Sequence, residues 1–132
     1  MFRFAIPAVL TFAAACAANA AMPQRAADRD EAKIAKTLAG LTPGKPQDCI
    51  PRERMGETQG FPNTILYIEG RKKVWRNDVT GSCTGLANDD LMVVESTSGQ
   101  LCRGDIVRTR SRLGGGMLTS SCALGSFVPY SK

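Results

Sequence analysis

The clearest two-residue alternation in the chain runs over 105–112, where Ile106, Arg108, Arg110 and Arg112 fall on one face and Val107, Thr109 and Ser111 on the other. This pattern predicts a strand of an antiparallel sheet with one dry face and one wet face. Residues 64–69 and 91–97 are rich in β-formers, with Met92, Val93 and Val94 as the apolar middle of the second run. After Gly70-Arg71, residues 72–77 are expected to pair back on 64–69 as a hairpin, because glycine at the first turn position suits type II′ geometry. A last strand pair is expected at 117–122 and 125–130. Thr80-Gly81-Ser82-Cys83-Thr84-Gly85, Ser98-Gly99-Gln100 and Leu113-Gly114-Gly115-Gly116 separate these runs as turns and loops, and 55–63, with Gly56, Gly60 and Pro62, reads as a loop.

The helical period occurs once, over 28–38. Ile34 and Leu38 stand one turn apart, Asp28 with Glu31 three residues on resembles a capping box, and Gly40 sits where a helix would stop. Thr42-Pro43-Gly44-Lys45-Pro46 then breaks regular structure. The expected fold is mainly β: a small antiparallel sheet or partly open barrel of six to seven short strands, preceded by a short N-terminal helix. In domain terms, 1–20 is read as a signal peptide, 21–46 as helix and linker, and 47–132 as the β domain.

The leader reading rests on Arg3, the apolar segment 4–18 and the A-x-A pattern Ala18-Asn19-Ala20. Ala13-Ala14-Ala15-Cys16 offers a second route, a relaxed lipobox in which Cys16 is the candidate lipidation site and membrane anchor. On either route Cys16 stays out of the folded domain, leaving Cys49, Cys83, Cys102 and Cys122. An even set in an exported chain implies two disulfides. Three pairings are open, and Cys49 with Cys83 and Cys102 with Cys122 is favoured because each then ties neighbouring strand segments. The spacings of 34, 19 and 20 residues fit no zinc pattern, and no Cys-x-x-Cys occurs. No metal or other cofactor is expected.

Charge and composition narrow the function classes. The chain of 132 residues has no histidine, which removes the usual general base, the Ser-His and Cys-His nucleophile pairs, and histidine metal ligation. Ser-x-x-Lys is absent too, so a hydrolase would depend on carboxylates such as Asp105 and Glu95. Seventeen basic residues against twelve acidic ones give a net charge of +5, which favours acidic partners. Two places concentrate that charge. Arg108, Arg110 and Arg112 form a strand-face stripe suited to phosphate, sulfate or carboxylate, and Arg71, Lys72 and Lys73 crowd the hairpin tip. Both are candidate anion-binding groups; a solvated strand face and a charged sheet edge are the plain structural alternatives. Nucleotide binding is not expected, since the glycine loop at 114–116 lacks the Lys-Ser/Thr ending of a phosphate loop. Asn88-Asp89-Asp90 matches no EF-hand spacing and reads as turn chemistry. Tyr67 and Trp75 read as cross-strand packing, and Arg103-Gly104-Asp105, a cell-adhesion tripeptide on paper, reads as a turn.

Gly44-Lys45-Pro46 before Asp48-Cys49-Ile50, Thr64-Ile65-Leu66-Tyr67, Leu101-Cys102-Arg103-Gly104-Asp105 and the ending from Cys122 through Gly125 to Tyr130 resemble a family of small exported proteins of Gram-negative bacteria whose function is not assigned. The resemblance runs from about residue 38 to the end. It implies export and the domain boundaries, and transfers no catalytic residue. The functional expectation is an exported, non-catalytic envelope protein, periplasmic or lipid-anchored, that binds an envelope protein or an anionic envelope polymer through its basic face, with no nucleic-acid partner. A small secreted enzyme inhibitor and a histidine-independent hydrolase are the alternatives.

Overall fold

The computed structural model describes residues 21–132. The leader, its cleavage site and Cys16 lie outside the described residues. The chain divides into two compact units, one through Lys33 and the other Ile34–Lys132. The described part of the first is helical, belonging to α1 (Ala21–Leu38). Asp28, expected as an N-cap, is therefore an interior residue of a longer helix. Ala21, Met22 and Gln24, ahead of Asp28, are good helix formers.

The second unit is mainly β. In chain order its strands are β1 (Thr42–Pro43), β2 (Cys49–Pro51), β3 (Glu57–Gly60), β4 (Thr64–Ile68), β5 (Lys73–Asp78), β6 (Thr80–Gly81), β7 (Leu91–Glu95), β8 (Gln100–Cys102), β9 (Ile106–Arg110), β10 (Leu118–Ala123) and β11 (Phe127–Ser131). Seven of these have four or more residues; six coincide with the expected runs, and the seventh, β3, lies in a stretch expected as loop. The other four are too short to carry a period. All pairs are antiparallel: a five-stranded sheet β1-β11-β5-β4-β3, a four-stranded sheet β6-β10-β9-β7 and a two-stranded sheet β2-β8. The sheets do not close into a barrel.

β4 explains the layering. Thr64, Ile65, Leu66 and Tyr67 are all buried, so both faces of this strand are covered. On one face Ile65 and Tyr67 join Trp75 and Phe127, and pack with Ile50, Cys83, Val94, Leu101, Val107, Cys122 and Leu124, the inward residues of the other sheets. On the other face Leu66 and Val74 meet Ile34 and Leu38 from the end of α1, with Leu41, Phe61, Ile68 and Tyr130 around them. Thr42–Pro43, expected as linker, adds an edge strand against Tyr130 and Ser131. Glu57–Gly60, expected as loop, is likewise an edge strand on β4. Edge strands need only backbone pairing on one side, so neither shows apolar alternation.

The β4–β5 hairpin forms, but with a different turn. The Glu69 amide donates to the Lys73 carbonyl at 2.9 Å, so Gly70, Arg71 and Lys72 make a three-residue connection, with Gly70 at φ 70°. The two-residue turn would shift pairing by one and place Arg76 on the face that Tyr67 and Trp75 fill. The observed register, Tyr67 opposite Trp75, keeps the Arg76 charge off that face.

The disulfide framework is crossed: Cys49 pairs with Cys102 and Cys83 with Cys122. The favoured sequential pairing is incorrect. Cys49 and Cys102 are direct cross-strand partners in β2-β8, and Cys122 lies opposite Gly81, two residues before Cys83. Strand neighbours distant in sequence, not segments adjacent in sequence, bring the sulfurs together.

Candidate functional site

The candidate site is the outer face of the four-stranded sheet. Register places Leu91, Arg110 and Leu118 side by side across β7, β9 and β10, then Val93, Arg108 and Ser121, then Glu95, Ile106 and Ala123. The opposite face carries Val107 and Thr109, both fully buried, as the alternation of β9 requires. Thr109 is satisfied there by the hydroxyls of Thr119, at 2.8 Å, and Ser120, and Ser120 Oγ accepts from the Gly85 amide at 3.0 Å.

The arginine stripe is real over two residues and changes character at the third. Arg108 forms an ion pair with Glu95 at 2.9 Å, a partly exposed cross-strand contact that neutralises it. Arg110 donates from a terminal nitrogen to the Gly116 carbonyl at 3.0 Å. Arg112 lies beyond β9, where Nε donates to the Asp89 carbonyl at 2.7 Å. Among the described residues neither Arg110 nor Arg112 has a carboxylate partner, so both cations remain available to an external anion.

Charge alone does not describe the face. The large apolar side chains exposed among the described residues are Leu91, Val93, Ile106, Leu113, Met117 and Leu118, and all six lie on this face or in the β9–β10 loop. Leu113 is fully exposed and Met117 is 70% exposed. The loop is built rather than slack at its base: Ser111 N–H donates to the Met117 carbonyl at 2.9 Å, Gly116 N–H to the Ser111 carbonyl at 3.2 Å, and Gly114 N–H to Ser111 Oγ at 2.9 Å. Gly115 and Gly116 take φ of 68° and 80°, the left-handed region that lets so tight a loop close. Beside this end lies a shallow cleft of about 300 Å³ between β3 and β7, lined by Thr58, Gly60, Leu86, Asp89, Asp90 and Arg112 among others. Asp89 and Asp90 thus bring negative charge close to Arg112.

The second basic group is not part of this surface. Arg71, Lys72 and Lys73 sit at the β4–β5 turn of the five-stranded sheet. Lys73 is committed locally: its ammonium lies 4.4 Å from the Trp75 ring centroid and 3.7 Å from Glu69, whose carboxylate also accepts from Trp75 Nε1 at 2.8 Å. Arg71 and Lys72 remain exposed.

Arg103-Gly104-Asp105 is a turn. Gly104 takes φ 90°, Asp105 Oδ2 accepts from the Cys102 amide at 2.8 Å, and the Gly104 amide donates to the Leu124 carbonyl at 2.8 Å. Asn88-Asp89-Asp90 closes a 3₁₀ turn, with Asp89 at φ 56°. Among the described residues no three His, Cys, Asp or Glu side chains converge as metal ligands, and no helix is long and apolar enough to cross a membrane.

Apart from Ile106, which alternation places beside the arginines, the apolar half of the surface escaped sequence reasoning. Leu91, Val93 and Leu118 look like ordinary strand residues until register decides which face they occupy. One signal was present: Leu113 and Met117 bracket three glycines, where a solvated loop would carry polar residues. The chain matches no family model, no curated relative and no solved structure.

Proposed function

We propose that this is an exported, non-catalytic protein of the cell envelope that binds an anionic envelope component through the outer face of the β7-β9-β10 sheet. The observation that carries the reading is the coincidence, among the described residues, of Arg110 and Arg112, cations without ion-pair partners there, with every large apolar side chain that is exposed. A contiguous apolar patch is unusual on a solvated surface and marks an interaction face. Guanidinium groups supply directed hydrogen bonds to phosphate or carboxylate oxygens. The leader expected over 1–20 and the two disulfides agree with an oxidising, exported setting.

Sedimentation with isolated envelopes tests this. Wild-type protein should cosediment in a salt-sensitive manner, and Arg110→Glu with Arg112→Glu should release it while circular dichroism stays unchanged. Equal retention of the folded double variant would refute the reading.

A further inference from the structure

Resting on the binding face just proposed, we infer that its ligand is a phospholipid bilayer surface, into which the β9–β10 loop dips Leu113 and Met117 while Arg110 and Arg112 engage headgroup phosphates. Leu113 projects fully into solvent from the glycine-rich β9–β10 loop, Met117 and Leu118 are exposed at the loop's far end, and Leu91 lies across the sheet beside Arg110. A folded protein partner would have to supply a matching pocket for such a projection. A fluid acyl phase accepts it without one, and each exposed methylene withdrawn from water contributes about 0.8 kcal/mol.

The cations lie where an inserted tip needs them. Arg110 sits at the base of the loop and Arg112 one residue before Leu113, so long aliphatic stems can follow the apolar patch while guanidinium groups reach the phosphate level. Local acids temper the charge. Glu95 neutralises Arg108, and Asp89 and Asp90 lie beside Arg112, so insertion of apolar side chains supplies most of the binding. The net charge, +4 once Arg3 leaves with the leader, adds a preference for anionic leaflets. Backbone and side-chain hydrogen bonds across 110–117 hold the loop preformed, which reduces the ordering cost of insertion.

Vesicle flotation of the full chain as processed by the cell, with Cys16→Ser in every protein so that no acyl chain contributes, decides the matter. Vesicles of phosphatidylcholine alone and with phosphatidylglycerol are compared against immobilised inorganic polyphosphate. Leu113→Ser with Met117→Ser, both at exposed positions, should weaken vesicle partitioning about tenfold per residue and leave polyphosphate retention unchanged. Arg110→Gln and Arg112→Gln should each weaken binding to phosphatidylglycerol vesicles about fivefold. L113W should show blue-shifted emission quenched by brominated acyl chains, because the native Trp75 is buried. Retention on polyphosphate without vesicle binding would overturn the bilayer while leaving the anionic reading intact. Vesicle binding that needs Leu113 and Met117 but ignores both arginines would sustain the bilayer and overturn the anionic reading. A stable dimer in sedimentation velocity, dissociated by Leu113→Ser, would overturn the bilayer in favour of a second copy.

Discussion

Removing the disulfides pair by pair tests the crossed framework most directly. Cys83–Cys122 closes a separation of 39 residues and Cys49–Cys102 one of 53, and chain-entropy closure of such loops is worth about 4 kcal/mol each. The sequential alternative, with separations of 34 and 20 residues, sums to only about 1 kcal/mol less, so loop entropy does not select between them. Strand register selects. The two observed bridges differ in surroundings: Cys83 and Cys122 are buried in the main core, whereas Cys49 is exposed. Cys83→Ala with Cys122→Ala should therefore cost about 4 kcal/mol from loop entropy and roughly 1 kcal/mol more from lost packing. In a unit of about 100 residues this lowers Tm by roughly 20 °C or more. Cys49→Ala with Cys102→Ala should cost about 4 kcal/mol or less, and mild reductant should open that exposed bridge first. Urea unfolding of both double variants and non-reducing peptide mapping of the native protein are the assays. A peptide joining Cys49 to Cys83, or a loss under about 1 kcal/mol for the buried pair, would refute the reasoning.

Asn77 is fully buried and clamps the chain before β11, donating to the Gly125 carbonyl at 2.8 Å and accepting from the Gly125 amide at 2.9 Å. Asn77→Ala strands both backbone groups and should cost about 2 to 4 kcal/mol in urea unfolding. Gly125→Ala should destabilise by about 2 kcal/mol or more, since its Cβ would collide with the Asp78 carbonyl oxygen. The Tyr67 hydroxyl is buried without a hydrogen-bond partner among the described residues, and burial holds its pKa well above the ordinary value of 10. The unfolded chain then loses this proton first, so stability falls as pH rises above about 10. Tyr67→Phe should flatten that alkaline loss and add about 1 kcal/mol at neutral pH, read by thermal melts across pH. Glu95→Gln should change stability by less than about 1 kcal/mol, because its ion pair with Arg108 is solvent-exposed.

Local pattern determined the class of this protein's fold. Local pattern located six of the seven longer strands, Ile34 and Leu38 marked the helical face that packs on the sheet, and four cysteines implied two bridges. These are properties of residues near one another in sequence, where a period of two or 3.6 records which side is dry. Partner choice was decided elsewhere. The one-residue register of β4 on β5, the pairing of Cys49 with Cys102, and the edge positions of Glu57–Gly60 and Thr42–Pro43 follow from which strands lie side by side. The candidate site shows the same division. Arg108 and Arg110 were legible as a stripe because they alternate along one strand. Their apolar neighbours were not, since Leu91, Leu118, Leu113 and Met117 reach the same end of the face only through pairing across β7, β9 and β10 and closure of the β9–β10 loop. A sequence records the side on which each residue of a strand stands; only the assembled sheets decide whether that side is covered, and here one apolar side was left open to solvent.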